Sequence, residues 1–391
     1  MGPKCVMIIA GEASGDHHGA KLVKAIQKKD KGLFFCGIGD QALERAGVKI
    51  LMSASELAVV GITEIVAKLP KLVAGLGIAK KLLKALRPDL LILIDFPDFN
   101  LRVAKWAKKL GIPVLYYISP QIWAWRKGRV NQIRRRVDHM AVILPFEKEF
   151  YQKHGIPVTF VGHPLLDGGN PLIHPTLTAD SGDAPIVGLL PGSRDREVSR
   201  HVPVMLEAAR KLQKKMAGIR FAISVAPSVD RQTVQEMIQN HAAGLKLEIV
   251  PGRVEEILYR CRLAIVASGT ATLETAISGT PMVVIYKVSP LSYWIGRALI
   301  RPGTTSLDIR MRSGHSVVNA ISLVNLIAGK ALVAELIQKE ADPETIAARA
   351  WELLENTAQR RQLQQELQQL RHCLGGSGAS ERVAEIALEM L

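Results

Sequence analysis

The chain has 391 residues, of which 48% are apolar and 22% carry a charge, so it is long enough for two globular domains and too apolar to be disordered. Its formal net charge of +15 indicates an acidic partner: nucleic acid, anionic lipid or a phosphorylated substrate, with plain solubility as the alternative. The four cysteines are scattered without a CxxC pair, which argues against a disulfide framework or a zinc site and fits a reducing cytosol.

The sequence shows no targeting segment. The apolar run at 5–10 is cut short by Gly11 and Glu12, and Val6 stands where a myristoylation signal requires Ser or Thr. No apolar stretch approaches the roughly 18 to 20 residues of a membrane span. We therefore expect a cytoplasmic protein whose contact with a membrane is at most peripheral.

Short apolar runs alternate with amphipathic helical patterns. The first runs are apolar on both faces, as in buried strands of a parallel sheet, and lie at 6–10, 33–36, 90–94, 114–118 and 141–144. Helical patterns between them cover 20–28, 101–109 and 147–153. A second series of strands is predicted at 186–190, 221–225, 247–250, 263–266 and 282–286. The alternation predicts two doubly wound α/β domains with right-handed crossovers.

Domain boundaries follow from where this periodicity stops. We expect an N-terminal domain at 1–166, a linker rich in Gly, Pro and Asp at 167–185, and a second domain at 186–350. Helices at 351–391 are expected to pack back on the first domain, and the polar stretch 302–317 is interpreted as a lid or an insertion. Ligands of two such domains usually bind beyond the carboxyl ends of the strands.

Two loops of the second predicted domain have the chemistry of an anion site. The first ends a strand with Gly192, Ser193 and Arg194, and Glu197 follows. Gly192 allows close backbone approach to a ligand, Ser193 is an expected helix N-cap, and Arg194 supplies a planar set of donors suited to a diphosphate. The alternative is a capped turn with a surface arginine.

The second loop follows the strand at 263–266 and opens a helix at Ser268, Gly269 and Thr270. Unpaired backbone amides and the positive end of the helix dipole meet at such a helix start and attract an anion. Glu274 lies one turn further on, where a carboxylate can accept both hydroxyls of a ribose. Together the two loops predict a nucleotide site.

The first domain has polar side chains after its first strand. Glu12, Ser14 and Asp16 stand in a turn that lacks the full GxGxxG pattern, so no NAD is expected. The two acids would repel a pyrophosphate and suit sugar hydroxyls or an amine better. The alternative is that Ser14 or Asp16 caps a helix.

Asp95 directly follows the buried strand at 90–94, at the edge where open α/β sheets bind their ligands. Pro97 ends the strand, and Asp98 is expected to cap the helix that begins near Phe99. Asp95 is thereby left without a structural task and is our candidate general base. The alternative is a structural carboxylate bonded to nearby amides.

Two segments are basic. One carries Trp123 and Trp125 and continues through Arg126 to the run at 134–136, and it predicts either a solvated helix face or contact with nucleic acid. The other, at 57–86, mixes aliphatic residues with lysines, which suits either the surface of an anionic bilayer or ordinary core helices. Its lysines are Lys68, Lys71, Lys80, Lys81 and Lys84. The histidines show no ligand spacing, so no metal site is predicted.

Taken together, the motifs resemble those of the lipid-A-disaccharide synthases, a family of bacterial glycosyltransferases. The set is specific and spans nearly the whole chain: AGEASGD at 10–16, ELAVVG at 56–61, IDFPDFN at 94–100, YISPQIWAW at 117–125, LPFE at 144–147, LPGSR at 190–194, ASGTA at 267–271 and VNLIAG at 324–329. The chain departs from the family pattern at 302–317, where the link is usually much shorter.

The resemblance implies a GT-B architecture, two Rossmann-like α/β domains with the last helix crossing back to the first. It implies an inverting transfer of diacylglucosamine from its UDP donor to diacylglucosamine 1-phosphate, giving the β-1,6-linked lipid A disaccharide 1-phosphate and UDP. No cofactor and no metal ion is implied. The implied partners are these UDP-sugar and lipid substrates and the cytoplasmic surface of the inner membrane, for a monomer or homodimer that binds no nucleic acid.

The resemblance also implies roles for individual residues. Asp95 and Glu12 match the catalytic positions. The acceptor side would comprise Ser14, Asp16, Asp98 and Asn100. The UDP side would comprise Gly192, Ser193, Arg194, Glu197, Ser268, Gly269, Thr270, Ala271, Thr272, Glu274 and Asn325.

Two alternatives remain at this point. A UDP-sugar epimerase of the same architecture would act on a soluble substrate and would be indifferent to micelles. An RNA-binding module using 126–136 would show strongly salt-dependent affinity, but it leaves the loops at Gly192 and Ser268 unexplained.

Overall fold

The computed structural model describes residues 3–55, 62–123, 127–168, 184–242, 244–252, 254–288 and 321–391; of residues 62–69, 127 and 168 it describes the backbone alone. These residues form two compact units, the first comprising 3–168 with 374–391 and the second 184–373. Most of the expected linker, the whole 302–317 segment, the ELAVVG motif, Trp125 and Arg126 lie outside the described residues.

The first unit is built on a parallel sheet of seven strands in the order β3-β2-β1-β4-β5-β6-β7. The strands are β1 (Cys5–Ala10), β2 (Phe34–Gly39), β3 (Lys49–Ser53), β4 (Leu90–Ile94), β5 (Val114–Tyr117), β6 (His139–Val142) and β7 (Val158–Phe160). Every residue of β4 and β5 is buried, as the doubly apolar pattern predicts for central strands. The strands β1, β2 and β3 are added toward one edge of the sheet and β4 to β7 toward the other, so the strand order reverses between the neighbours β1 and β4.

Helices cover both faces of this sheet. They are α1 (Ala13–Lys29), α2 (Gln41–Arg45), α3 (Ile62–Leu86), α4 (Pro97–Lys109), α5 (Val130–Arg136) and α6 (Pro145–Lys153), with α14 (Ala379–Met390) added from the end of the chain. One hydrophobic core lies between one face of the sheet and the helices α3, α4, α5 and α6. The other lies between the opposite face and the helices α1 and α14. Since strand side chains alternate between faces, Ile8 and Ile9 lie in different cores.

The last helix is fixed to the first unit by a carboxylate far away in sequence. Asp167 accepts hydrogen bonds from the backbone N–H groups of Gly378 (2.8 Å), Ala379 (2.8 Å) and Ser380 (3.0 Å), and from the Ser380 hydroxyl (2.8 Å). These are the amides that a helix start leaves unpaired. Asp167 therefore performs the task of an N-cap across a sequence separation of 211 residues.

The second unit repeats the plan with a parallel sheet of six strands in the order β10-β9-β8-β11-β12-β13. Its strands are β8 (Ile186–Leu190), β9 (Arg220–Val225), β10 (Leu247–Pro251), β11 (Leu263–Ala267), β12 (Met282–Tyr286) and β13 (Ala334–Ile337). Its helices are α7 (Asp195–Lys215), α8 (Arg231–His241), α9 (Val254–Arg260), α10 (Thr270–Ile277), α11 (Leu323–Ala328), α12 (Pro343–Glu355) and α13 (Thr357–Cys373). Right-handed crossovers put α7 and α8 on the opposite face from α9 and α10.

The structure differs from the sequence interpretation at the sheet edges and in the tail. The strands β3, β7 and β13, which lie at edges of the two sheets and are only partly buried, were not predicted. Residues 351–373 belong to the second unit, and only 374–391 return to the first. Within the described residues, no helix combines the length and the apolar character needed to cross a bilayer.

The cap at Asp167 predicts a localised loss of stability. Burial raises the pKa of Asp167, but hydrogen bonds from 378–380 outweigh it and hold this pKa below the usual range. We expect Asp167→Ala to destabilise the first unit by about 1–2 kcal/mol at neutral pH, as for the loss of an N-cap. Because the pKa of Asp167 is depressed in the folded chain, the loss of unfolding free energy in the variant is full above pH ~4. This loss shrinks as the pH falls through the folded-state pKa.

The measurement is hydrogen exchange of the α14 amides by mass spectrometry, together with the urea midpoint at pH 7 and pH 3. Glu385→Ala is the matched control, since Glu385 lies on the same helix in an exposed ion pair with Lys29. Equal exchange in Asp167→Ala and the parent protein would contradict the assignment of a cap.

Candidate active site

The acidic loops of the first unit meet where the strand order reverses. The strands β1 and β4 are neighbours in register, with Ala10 opposite Ile94, so the loops that hold Glu12 and Asp95 leave the sheet side by side. Gly11 is required here, because a Cβ atom on it would lie 2.2 Å from the ring of Phe96. Reversal points of this kind are where open α/β sheets bind ligands.

Asp95 has an unusual backbone conformation that its neighbours hold in place. Asp95 (φ 47°) and Phe96 (φ 48°) are two consecutive non-glycine residues in the left-handed region. The Asp95 carbonyl oxygen accepts hydrogen bonds from the Tyr116 hydroxyl (2.6 Å) and the Asn100 side-chain amide (2.7 Å). The Asp95 N–H donates to the Tyr117 carbonyl oxygen at 3.2 Å. Strain of this kind persists only where surrounding contacts enforce it, and it is typical of functional sites.

The Asp95 carboxyl is only partly exposed, and its charge is unfavourable where it stands. Burial, and next the negative charge of Glu12, raise the pKa of Asp95 to about 6. The N–H of Phe96 opposes this shift by hydrogen bonding to the carboxylate. A carboxylate with this pKa remains ionised at neutral pH and is a stronger base than an ordinary aspartate.

Several predicted acceptor residues have structural tasks instead. Asp16 is 4% exposed, and its carboxylate caps α2 by accepting hydrogen bonds from Asp40 N–H (2.7 Å) and Ala42 N–H (2.8 Å). Asn100 is fully buried and positions the Asp95 backbone, so it does not face a substrate. The structure therefore favours the capping alternative at Asp16, which the sequence left open.

The other two acceptor candidates are exposed. Asp98 does not cap α4, since the N-cap position is Phe96; its carboxylate forms an ion pair with Arg129 from the start of α5. Ser14 lies in the exposed first turn of α1. Ser14 and Glu12 are therefore the residues of the first loop that a substrate can reach.

The second unit places its two predicted loops together in the same way. The neighbouring strands β8 and β11 lie where the order of the second sheet reverses. Gly192 (φ 111°) turns the chain after β8, and Arg194 is the extended N-cap residue of α7, a position that we expected Ser193 to occupy. The Arg194 guanidinium lies 2.8 Å from the Glu197 carboxylate, so these two predicted UDP residues pair with each other.

The loop after β11 keeps amides available for a ligand. The helix α10 begins after Gly269 without a side-chain cap; the Thr272 N–H donates to the Gly269 carbonyl oxygen (3.1 Å), and the amides of Thr270 and Ala271 are left to solvent or an anion. Ser268 and Ala271 are partly exposed, and Gly269 and Thr270 are exposed. Thr272 is different: it is fully buried, and its hydroxyl donates to the Gly269 carbonyl oxygen at 2.7 Å.

Glu274 lies one turn into the same helix. Burial, followed by the charge of Glu255, raises its pKa. In the part of the chain that the structure describes, its carboxylate has no hydrogen-bond or ion-pair partner. A partly buried carboxylate of this kind can accept ligand hydroxyls.

Asn325 has a structural task rather than an exposed place at the site. It is 3% exposed, and its amide group donates to Val333 O (3.0 Å) and Glu335 Oε1 (2.7 Å). Its oxygen accepts from the N–H groups of Leu332 (2.8 Å) and Val333 (2.9 Å). All four hydrogen-bonding positions of the side chain are thus used within the loop that leads to β13.

Sequence reasoning missed His201, which joins two strand ends below the Arg194 loop. Its Nδ1–H donates to the Pro191 carbonyl oxygen (2.9 Å), and its Nε2 accepts the Lys287 N–H (3.1 Å). Burial lowers the pKa of His201, which keeps the ring neutral and able to accept at Nε2. No sequence spacing indicates this role, because its partners are backbone groups.

A buried polar cluster beside the first-unit site was also missed. It comprises Ser119 and Trp123 after β5, and Glu147 and Tyr151 on α6. The proline at N1 and the glutamate at N3 of α6 form a recognisable helix-start pattern, but that pattern does not show what the glutamate side chain binds.

The described residues contain no group of three His, Cys, Asp or Glu side chains placed to hold a metal ion. The basic run at 134–136 is partly structural: the Arg136 guanidinium donates to the Leu101 carbonyl oxygen (3.0 Å) and to the Gln132 side chain (3.1 Å).

Comparisons with solved structures bear on the fold. CalG4, the calicheamicin glycosyltransferase, superposes with a TM-score of 0.59 at 14% identity, over 100% of this chain and 99% of that chain. The S. aureus MnaA–UDP co-structure superposes with a TM-score of 0.63 at 12% identity, over 99% of this chain and 98% of that chain. The α/β GT-B class expected from the sequence is confirmed.

Comparisons of sequence bear on the family. The lipid-A-disaccharide synthase of Syntrophus aciditrophicus is 46% identical over 399 residues, which cover 100% of this chain and 99% of that protein. A family model described as lipid-A-disaccharide synthetase matches residues 6–390. The chain therefore belongs to the lipid-A-disaccharide synthetase family.

Proposed function

We propose that the protein is an inverting glycosyltransferase that joins UDP-2,3-diacylglucosamine to 2,3-diacylglucosamine 1-phosphate. The products are the β-1,6-linked disaccharide 1-phosphate and UDP. The observation that carries this proposal is a largely buried aspartate with a raised pKa and a strained backbone at the sheet reversal of the first unit, in a chain that matches the family from residue 6 to residue 390.

In the proposed reaction, the acceptor's 6-hydroxyl oxygen attacks the anomeric carbon of the donor sugar. Asp95 takes the hydroxyl proton as the new C–O bond forms, and the bond from the anomeric carbon to the UDP oxygen breaks with its electron pair. The raised pKa of Asp95 improves its strength as the base, and Glu12 beside it helps to maintain that pKa.

The second unit takes the leaving group in this proposal. The amides at the start of α10 and the Arg194 guanidinium bind the diphosphate, and Glu274 accepts the ribose hydroxyls. Because Arg194 pairs with Glu197 in the structure, the arginine must share its donors when the diphosphate binds. Stabilising the negative charge on UDP lowers the barrier to its departure.

A UDP-sugar epimerase is the less favoured reading. Its support is a likeness of fold at 12% identity, whereas the synthases match along the whole chain at up to 46%. A mixed-micelle assay with both diacylated substrates separates the two, since an epimerase would convert a soluble UDP-sugar without the lipid acceptor.

The catalytic role of Asp95 predicts a selective loss of turnover. We expect Asp95→Asn to lower kcat at least about 100-fold, because a general base contributes at least that much. The Kd for UDP is expected to stay within about twofold, since the residues proposed to bind UDP belong to the other unit. The measurements are UDP release in mixed micelles and calorimetric titration with UDP, with Asp30→Asn, an exposed aspartate at the end of α1, as the control. Near-normal turnover in Asp95→Asn would refute the base.

The same substitution predicts a gain in stability that depends on pH. Above pH 6 the ionised Asp95 opposes folding, because its pKa is raised from 3.8 to about 6 in the folded chain. We expect Asp95→Asn to be more stable at pH 8 by on the order of 1 kcal/mol, a gain that fades as pH falls from 6 toward 4. Urea midpoints at pH 8 and pH 5 measure this, and a gain that is equal at both pH values would contradict the cause.

We also propose that α3 contacts the membrane that holds the lipid substrates. Ala79 and Leu83 of this helix pack into the core, whereas Val73 (61%), Ile78 (40%) and Leu86 (40%) are exposed. The same helix carries four exposed lysines, of which Lys80 lies over the Trp106 ring: Lys71, Lys80, Lys81 and Lys84. Apolar insertion and attraction to anionic headgroups would then act together.

This contact predicts binding to anionic vesicles. We expect Lys81→Glu and Ile78→Glu each to reduce sedimentation with phosphatidylglycerol vesicles severalfold, since one charge near the surface contributes about 1 kcal/mol. Binding of the parent protein should fall as salt is raised. Lys24→Glu on α1 is the control with the same charge change, and an equal loss in that variant would argue against a role for α3.

A further inference from the structure

The segment after β5, residues 119–123, is held at both ends by one helix. The Ser119 hydroxyl and the Tyr151 hydroxyl are 2.6 Å apart, and the Trp123 indole N–H donates to Glu147 Oε1 at 3.1 Å. Glu147 and Tyr151 are four residues apart on α6 and therefore share a face of that helix. Ser119 and Trp123 are the first and last residues of the segment, so the hydrogen bonds to α6 hold both of its ends.

Holding this segment with Glu147 requires burying a carboxylate, which costs folding free energy. Its side chain is 1% exposed, and among the described residues no cation pairs with it. Its Oε2 accepts the Leu144 N–H at 3.1 Å, and its position at N3 of α6 places it near the positive end of the helix dipole. Burying an ionised carboxylate is costly, and a neutral side chain could fill the same space.

The segment lies beside the proposed base. The strand β5 that leads into it is the neighbour of β4, with Tyr117 opposite Ile94. Tyr116, next to the end of β5, bonds to the Asp95 carbonyl oxygen at 2.6 Å. Ile118, which begins the turn into the segment, is itself in the left-handed region with φ 63°. The segment therefore leaves the sheet beside the edge where the acceptor is proposed to bind.

We propose that Glu147 is a positioning residue for the transfer reaction: its ionised carboxylate, through Trp123 and Leu144, sets the segment 119–123 against the bound acceptor. This rests on the proposed function, and specifically on acceptor binding at the edge that carries Asp95. When Glu147 takes up a proton, the carboxyl loses acceptor strength toward both donors, and the segment is held less firmly.

The surroundings of Glu147 make its protonation relevant near neutral pH. Burial raises the pKa of Glu147 to about 7, against the hydrogen bonds from Leu144, Trp123, Ser119 and Ile143. The one titratable group among its described contacts is the Tyr151 phenol on the same helix, whose own pKa is raised by burial. The groups that face it from the segment 119–123 and from the end of β6 carry no charge.

The test uses Glu147→Gln in the full-length protein. The amide keeps the volume and one acceptor oxygen, but its NH₂ group faces a donor where the carboxylate had an acceptor. We expect kcat to fall by about ten- to a hundredfold, because a small displacement of a positioning contact has that effect, with the Kd for UDP unchanged within about twofold. Trp123→Phe, which removes the donor, should reproduce the loss.

The pH profile separates positioning from a merely structural role. In the parent protein we expect kcat/KM to fall in two steps on acidification, near pH 7 for Glu147 and near pH 6 for Asp95. In Glu147→Gln the step near pH 7 should vanish and the step near pH 6 should remain. Glu149→Gln is the matched control, an exposed acid on the same helix.

Two results would overturn the inference: parent-like kcat with an unchanged profile in Glu147→Gln, or a proportional loss of UDP binding, which would indicate general damage to the fold. Failure of the proposed function is distinguishable, because Asp95→Asn would then retain turnover. If Asp95→Asn is inactive and Glu147→Gln is normal, the inference about Glu147 alone is wrong.

Discussion

The first-unit site depends on two hydrogen bonds to a single carbonyl oxygen, that of Asp95. Tyr116 and Asn100 donate to it from the neighbouring strand and from the following helix. These bonds hold two consecutive residues in a backbone conformation that residues other than glycine normally avoid. Burial and the nearby Glu12 charge then give that carboxyl its basicity. The proposed base at this edge thus depends on the backbone geometry of Asp95 as well as on the charges around it.

Both units place their predicted site residues on the loops at the reversal of strand order, but the residue types differ. In each, the loops at the reversal of strand order stand side by side, but the first unit places carboxylates there and the second places a guanidinium and helix amides. A carboxylate suits the removal of a proton, and the second set suits a departing diphosphate. Residues behind the loops, such as Asn100 and His201, hold the loop backbones in place.

Much of this fold is readable from the sequence, and the exceptions share a cause. Buried central strands reveal themselves by being apolar on both faces, and Leu90–Ile94 is an example. The edge strand Ala334–Ile337 has only four residues, one of them a glutamate, and is only partly buried, so it lacks the apolar run of a central strand. The tail was divided incorrectly because amphipathic helices indicate that they pack, but they do not indicate which core they pack on.

The site residues show a similar limit. A sequence motif marks that Asp16, Asn100, Thr272 and Asn325 stand near the strand ends, but it cannot distinguish a side chain that faces a ligand from one that binds backbone. Burial makes that distinction, since these four are at most 4% exposed and bond within the chain. Glu147 was missed for the opposite reason: its partners, Trp123 and Leu144, come together only in the folded chain.

The attachment of α14 by Asp167 has a consequence for biosynthesis. The part of the first unit that precedes Gly169 leaves the ribosome early, yet one of its two cores lacks Val383, Ala384 and Ala387 until the end of the chain emerges. Domains tend to fold as they are synthesised, so the second unit is able to mature while the first still exposes an uncovered apolar face. The unit that is synthesised first is therefore completed last, when the end of the chain covers this apolar face.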